Sequence, residues 1–382
     1  MSFDLFDLSG RTALVTGSSR GLGRAITITL ARLVFGKPRS LPPGEIRKVL
    51  VVRTDERVGN VLLTIPLLRA LRKGLPRAEI VFLHAASKAS LVRGLPYVDR
   101  LEPFEKKRFF KAPLRFAAQL LRLRRERFDV AIEAGHYHAF SLTAALLTRV
   151  AGARTVIGHD RGPARHFFDH AVALPPGVVQ DVEAKLQLLG PLGVGPDGTW
   201  LETPLSRDPT AAKEIDALLD AMGLRETRLL VVNPGARKLD RRWPTERYAE
   251  VTRRIAAEHR LVPLVVWGPG EEALAREVVE GAGPGARLAP PTNLAQLAAL
   301  FARAALVLTN DTGPMHLACA AGAPTLAIFL AGDAARWGHR LPGFRSVDVS
   351  PGGLGGDTDA VVAAASSLVG AQSPVDLAAA RG

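Results

Sequence analysis

The run Leu306-Val-Leu-Thr309 meets a polar turn, Asn310-Asp311-Thr312-Gly313, and then Pro314. A short aliphatic run of this kind predicts a buried strand. Proline suits the first position of a helix, because the N–H it lacks is one the helix could not use. Asp311 or Thr312 is placed to cap that helix, and Gly313 allows close approach of backbone or ligand. Gly322 and Pro324 end it, and Thr325-Leu-Ala-Ile-Phe329 reads as the next strand. The expected unit is strand, turn, helix, strand. Its helix N-terminus stands at the carboxyl end of a parallel strand, where open α/β sheets bind ligands and where phosphate is favoured. A plain capped turn with no ligand would read the same.

The pattern recurs along the chain. Lys48-Val-Leu-Val-Val52, Glu79-Ile-Val-Phe-Leu83, Asp129–Ile132 and Thr155–Ile157 are short runs suited to buried parallel strands. Between the first two, Asn60–Lys73 shows apolar positions at helical spacing and a basic end. A second set follows, with strands at Arg228–Asn233, Leu261–Trp267 and Leu306–Thr309. Helices are expected from Thr245 and over Thr292–Phe301, which begins with a capping residue. Strands alternating with helices predict doubly wound α/β domains, and 382 residues suffice for two. Hydrophobic residues at 47% and charged residues at 23% fit a folded chain.

Cys319 is the single cysteine, so no disulfide framework exists and a reducing compartment is expected. The opening residues carry Asp4 and Asp7 in place of a basic start, so no secretory signal is expected there. No run reaches the roughly 18 uninterrupted apolar residues of a spanning helix. The net charge of +13 favours an anionic partner.

The first 30 residues stand apart. Gly17, Gly21 and Gly23 follow the run Thr12-Ala-Leu-Val15, and this stretch resembles the start of a short-chain dehydrogenase. The resemblance implies a pyrophosphate turn, and an NAD(P)-dependent reductase is the weakest of the readings. The chain then enters a turn-rich linker, Phe35–Gly44, in place of a second dinucleotide-binding strand, and a Tyr-x-x-x-Lys catalytic pair is absent. The expected organisation is a fragment and linker over residues 1–44, a first α/β domain over 45–203, a second over 204–370 and a tail over 371–382.

The string Asn310-Asp-Thr-Gly-Pro-Met-His-Leu-Ala318 resembles the signature of the heptosyltransferase family, glycosyltransferase family nine. Leu62-Leu-Thr-Ile-Pro-Leu-Leu-Arg-Ala-Leu71 is similar to a helix of that family, and the resemblance spans about Ile46 to Phe329. It implies two Rossmann-like domains facing a cleft, the GT-B arrangement. It implies inverting, metal-independent transfer of a sugar from a nucleotide-diphosphate donor to lipopolysaccharide core or a related glycolipid. No cofactor is expected.

The family's catalytic acid follows a glycine, but here that pair is Gly59-Asn60. An amide cannot serve as a base, so Asp55 in the same loop is the substitute, and a catalytically impaired binding protein is the alternative. Arg241, before Arg242-Trp243-Pro244, matches the family's diphosphate cation, and Lys238 lies in the nearby glycine turn. Glu271 or Glu272 matches the acid that binds the donor ribose or base. Asp311, Thr312, Gly313 and His316 complete the expected donor site, while Arg57, His159 and Arg161 are candidates on the acceptor side.

One basic stretch remains. Lys106–Lys111 and Arg115–Phe128 alternate cations with an apolar stripe at Leu114, Ala117, Leu121 and Phe128. The stripe is expected to pack on the sheet, and contact with an anionic membrane surface is the sharper alternative. Without a stacking platform, nucleic acid is not expected. His136, His138, His159 and His166 show no metal-ligand spacing. The expected location is cytoplasmic, peripheral at the inner membrane.

Overall fold

The computed structural model describes residues 38–42, 44–177, 180–331, 333–350 and 358–370. The glycines at Gly17, Gly21 and Gly23 and the tail from residue 371 lie outside them. Contacts divide the chain into two units. The first runs to Glu56 and takes in Pro66–Ala89 and Gly94–Gly198. Arg57–Ile65 and Ser90–Arg93 group with the chain from Thr199 onward.

In the first unit β1 (Lys48–Arg53), β2 (Glu79–Ala85), β3 (Arg100–Phe104), β4 (Val130–Glu133), β5 (Thr155–His159) and β6 (His170–Val172) form a parallel sheet. Their order is β3-β2-β1-β4-β5-β6. Val49, Leu50, Val51 and Val52 have no exposed surface, as a central parallel strand covered on both faces requires. Three strands run past their apolar cores. β1 reaches Arg53, β4 Glu133 and β5 His159, all buried, so polar side chains collect at one edge of the sheet.

Apolar spacing predicts one helix over Asn60–Lys73, but the structure breaks it into α1 (Val58–Leu62) and α2 (Ile65–Gly74). Pro66 is the cause, since it returns no N–H to Leu62 and its ring crowds the preceding turn. Thr64 mends the gap. Its hydroxyl donates to the Asn60 carbonyl at 3.0 Å, while its N–H turns back to Val61 O.

After α3 (Lys106–Lys111) comes α4 (Pro113–Arg125), where the expected packing is reversed. Phe116 and Leu120 pack on the sheet core, and Leu123 and Phe128 are buried in it. The stripe Leu114, Ala117 and Leu121 instead faces outward. Positions 114 and 116 are separated by about 200° around a helix. A buried acid selects the face that turns in. Glu102 on β3 is 4% exposed, and Gln119 Nε2 donates to it at 2.5 Å while Arg122 pairs with it. Burial alone would raise the Glu102 carboxyl, but the bonds from Arg122 and Gln119 hold it below its ordinary value. A desolvated carboxylate must be partnered, so residues 119 and 122 are drawn inward.

Next come α5 (Leu142–Val150), whose N-cap Ser141 accepts from Ala144 N, and α6 (Asp181–Gln187). In the Pro-, Asp- and Ala-rich stretch after Thr203, α7 (Pro209–Ala221) forms. Asp208 caps it by accepting from Thr210 N and Ala211 N, with Pro209 at its first position. Further helices are α8 (Thr245–His259), α9 (Glu272–Ala282), α10 (Leu294–Ala302), α11 (Gly313–Ala321), α12 (Ala334–Trp337) and α13 (Thr358–Gly370). Asn293 and Gln296 form a capping box on α10.

In the second unit β7 (Leu229–Asn233), β8 (Val262–Val265), β9 (Arg287–Leu288), β10 (Ala304–Asn310), β11 (Thr325–Phe329) and β12 (Phe344–Asp348) again run parallel. Their order, β12-β11-β10-β7-β8-β9, repeats that of the first sheet. Leu230, Val232, Leu306 and Leu308 from the central strands pack with Trp243, Tyr248 and Ile255 into one core. No helix among the described residues is long and apolar enough to cross a membrane.

Candidate functional site

Each sheet reverses its strand order once, between β1 and β4 in the first unit and between β7 and β10 in the second. Loops leaving the carboxyl ends there diverge and open a crevice. In the second unit the strands at this point end in Asn233 and Asn310. Asn233 Nδ2 donates to Thr309 Oγ1 at 3.0 Å, and Asn310 Nδ2 donates to Pro234 O at 2.7 Å. These bonds fix the two loops that bear the expected donor residues.

Neither Asp311 nor Thr312 caps α11 with its side chain, contrary to expectation. Thr312 holds the N-cap position, but its hydroxyl donates to Asn310 O at 3.3 Å. Asp311 is buried and pairs with Arg241. Burial raises its carboxyl above the ordinary value, and the charges of Arg241 and Lys238 only partly oppose this. The leading amides of α11 thus lack a side-chain cap, with a fixed guanidinium beside them.

His316 is buried, and its Nδ1 lies 2.9 Å from His339 Nε2. Burial lowers His339 to about 4, so that imidazole is neutral. The other flank of His316 meets α1, where a Cβ on Gly59 would stand 2.3 Å from His316 Cδ2. Only glycine lets α1 dock there. Beside it Asn60 is buried, with no hydrogen-bond partner for Nδ2 among the described residues. Gly313 lies under the same helix, where an added Cβ would meet Val58 Cβ at 3.4 Å.

Two adjacent arginines take different acids. Arg241 pairs with Asp311, while Arg242 reaches Glu271 at 3.3 Å and donates from Nε to Ala236 O at 2.7 Å. Glu271 also accepts from Gly268 N at 3.2 Å. Its carboxylate fills the space over Gly235, where a Cβ would lie 2.0 Å from Oε2. Glu272 instead pairs with Arg276 along its own helix. Lys238 is exposed on the turn. The structure therefore brings Arg241, Asp311, Thr312 and Gly313 to one place, with Glu271 on the neighbouring turn clamped by Arg242.

In the first unit a buried ionic cluster occupies the switch point. Arg53 Nη2 lies 2.7 Å from His136 Nε2, and His136 Nδ1 lies 2.8 Å from Asp181 Oδ1. Arginine only donates, so His136 accepts at Nε2 and carries its proton at Nδ1 toward Asp181. Burial lowers His136 to about 4, which agrees with a neutral ring. Asp181 also pairs with Lys185, which burial lowers to about 8. Arg161 bonds Glu133 at 2.9 Å and donates to His136 O at 2.8 Å. His159 is wholly buried, and burial holds its ring far below the ordinary value. Neither of its ring nitrogens has a hydrogen-bond partner among the described residues.

Three buried cations, Arg53, Arg161 and Lys185, face two carboxylates, Glu133 and Asp181. Of the sequence candidates, His159 and Arg161 belong to this cluster, Asp55 is half-buried in the loop after β1 and Arg57 is exposed. Sequence reasoning missed Arg53, Glu133, His136, Asp181 and Lys185. A signal existed for two of them, since Arg53 and Glu133 each end an apolar parallel strand with a charge.

A model of glycosyltransferase family 9 (heptosyltransferase) matches residues 117–347. Lipopolysaccharide heptosyltransferase 3 of Escherichia coli is 30% identical over 291 residues, covering 73% of this chain and 82% of that protein. The lipopolysaccharide core heptosyltransferase OpsX of Haemophilus influenzae is 25% identical over 296 residues, covering 75% and 80%. Among solved structures, a family 9 glycosyl transferase from Veillonella parvula superposes with a TM-score of 0.69 at 21% identity, covering 86% of this chain and 98% of that one. The E. coli heptosyltransferase WaaC with ADP gives 0.65 at 23% identity, covering 82% and 97%. These two likenesses establish the fold as GT-B-like. The chain belongs to glycosyltransferase family 9, the heptosyltransferase family, and is a glycosyltransferase.

Proposed function

We propose that the chain is an inverting, metal-independent heptosyltransferase that moves a sugar from an ADP-linked donor to lipopolysaccharide core or a related glycolipid. The observation that carries this reading is Arg241 fixed by buried Asp311 beside the uncapped start of α11. A diphosphate leaving group gains charge as its bond to the anomeric carbon breaks. A guanidinium and free helix amides stabilise that charge without moving. The choice of donor and acceptor follows relatives named as lipopolysaccharide heptosyltransferases and one solved with ADP.

In this mechanism the acceptor hydroxyl attacks the anomeric carbon from the side opposite the diphosphate. The new C–O bond forms as the bond to phosphate oxygen breaks, and the electron pair leaves with the nucleoside diphosphate toward Arg241 and Lys238. Asp55 takes the hydroxyl proton. Glu271, held by Arg242 and Gly268 N, is oriented to accept from donor hydroxyls. The domain boundaries at residues 45–203 and 204–370, acceptor on the first and donor on the second, belong to the same proposal. So does a peripheral, cytoplasmic location.

A second reading has its own observation. Buried Asn60 carries an amide where the family pattern places an acid, which favours a binding protein with impaired catalysis. A panel of nucleotide sugars, scored for both binding and transfer, separates the two. Transfer from an ADP-linked heptose supports the first reading, and tight binding without turnover supports the second. Stabilisation by NAD but by no nucleotide sugar would overturn both.

A further inference from the structure

The outward face of α4 holds two of the three large hydrophobic side chains that stand exposed among the described residues. Leu114 is 85% exposed and Leu121 54%. Ala117 and Ala118, also exposed, lie between them and complete one stripe over two turns. The fold does not use this stripe, because Phe116, Leu120 and Leu123 already cover the sheet and Glu102 fixes which face turns in.

Cations border it. Lys106, Lys107, Lys111, Arg115, Arg124 and Arg125 are all exposed, and none makes an ion pair among the described residues. Arg122 on the same helix is the contrast, being tied to Glu102 and Glu126. A narrow apolar ridge between long basic side chains suits a bilayer interface. The leucines enter the boundary between headgroups and acyl chains, and the lysines and arginines reach back to phosphates. The chain's net charge of +13 adds long-range attraction to a negative leaflet.

We propose that α4, with the basic start of α3, is a docking surface for an anionic phospholipid bilayer. Its use in catalysis rests on the reading that the acceptor is a glycolipid, since docking would bring the first unit to a membrane-held acceptor. The test needs neither donor nor acceptor. The full chain is sedimented with vesicles of phosphatidylcholine alone and with vesicles that also contain phosphatidylglycerol. Binding is expected only to the latter and is expected to weaken with added salt. The double variant Leu114→Ser, Leu121→Ser should lower the vesicle partition coefficient about tenfold or more. Its melting temperature and donor affinity should stay unchanged, because both leucines lie outside the core. Lys111→Glu with Arg115→Glu should lower binding as well.

Unchanged vesicle binding by the leucine variant, or equal binding to both vesicle types, would overturn the proposal. So would equally tight binding to polyglutamate that ignores the leucines, which would mark the face as a site for an acidic protein. A chain that binds vesicles but transfers no sugar would refute the functional reading and leave the docking surface standing.

Discussion

At the scale of single residues, the second unit's site is decided by close approaches. Gly59 is required because His316 fills the space a side chain would need, its Cδ2 lying 2.3 Å from where a Cβ would stand. Gly59→Ala should therefore destabilise the fold by about 1–3 kcal/mol in urea titration. The double variant Gly59→Ala, His316→Ala should recover part of that loss, and additive losses would refute the interlock. In the proposed reaction Arg241 meets the departing diphosphate, so Arg241→Ala should weaken binding of an ADP-linked sugar by about 1–3 kcal/mol in calorimetry. A donor affinity equal to wild type would remove Arg241 from the site. Asp55→Asn should cut turnover about a hundredfold or more with donor binding kept, whereas Asn60→Asp should raise it. Full activity in Asp55→Asn would show that the proton goes elsewhere.

At the scale of elements, helices are set by what they must bury. α4 has two apolar stripes on nearly opposite faces, and periodicity alone cannot rank them. Buried Glu102 on β3 ranks them by demanding Gln119 and Arg122. α8 shows a different compromise. Tyr248 is wholly buried against Trp243, with ring centroids 5.4 Å apart, and its hydroxyl has no partner among the described residues. Burial raises that phenol well above its ordinary value. An unsatisfied buried hydroxyl costs about 1–3 kcal/mol, so Tyr248→Phe should leave stability unchanged or raise it. A clear fall in the denaturation midpoint would mean that the hydroxyl is bonded after all.

At the scale of the whole molecule, each unit holds a neutral histidine, partly buried His136 in the first and buried His339 in the second, both lowered to about 4. An unfolded chain protonates these rings near pH 6.5 and the folded chain only near pH 4, so between those values the unfolded state holds more protons. Stability must then rise with pH across that window and fall as the solution is acidified through it. Asp181 acts in the same sense at lower pH. Its carboxyl is held below the ordinary range, against the effect of burial, by Lys185 and His136, and that stabilisation is lost on acidification. Replacing His339 with Gln should reduce the slope of unfolding free energy between pH 4 and 6.5 by about 1.4 kcal/mol per unit, the value for one proton. An unchanged slope would mean that His339 is protonated in the folded state.

The sequence alone determined the alternation of strands and helices, because short β-branched runs and 3.6-residue spacing are local properties. It also placed a strand end and a helix start within a residue of those observed, at Asn310 and Gly313, and with them the motif that resembles the family. It left open which of two adjacent arginines meets Asp311, and it gave the wrong inward face for α4 and one helix over Asn60–Lys73 where the fold has two. Nothing local marked Arg53, His136, Asp181 and Lys185 as a single cluster. These choices depend on partners far apart in the chain, such as Arg53 with His136 and Arg241 with Asp311. A desolvated charge is tolerated only where the fold brings its counter-charge within bonding distance, and no local pattern records that distance.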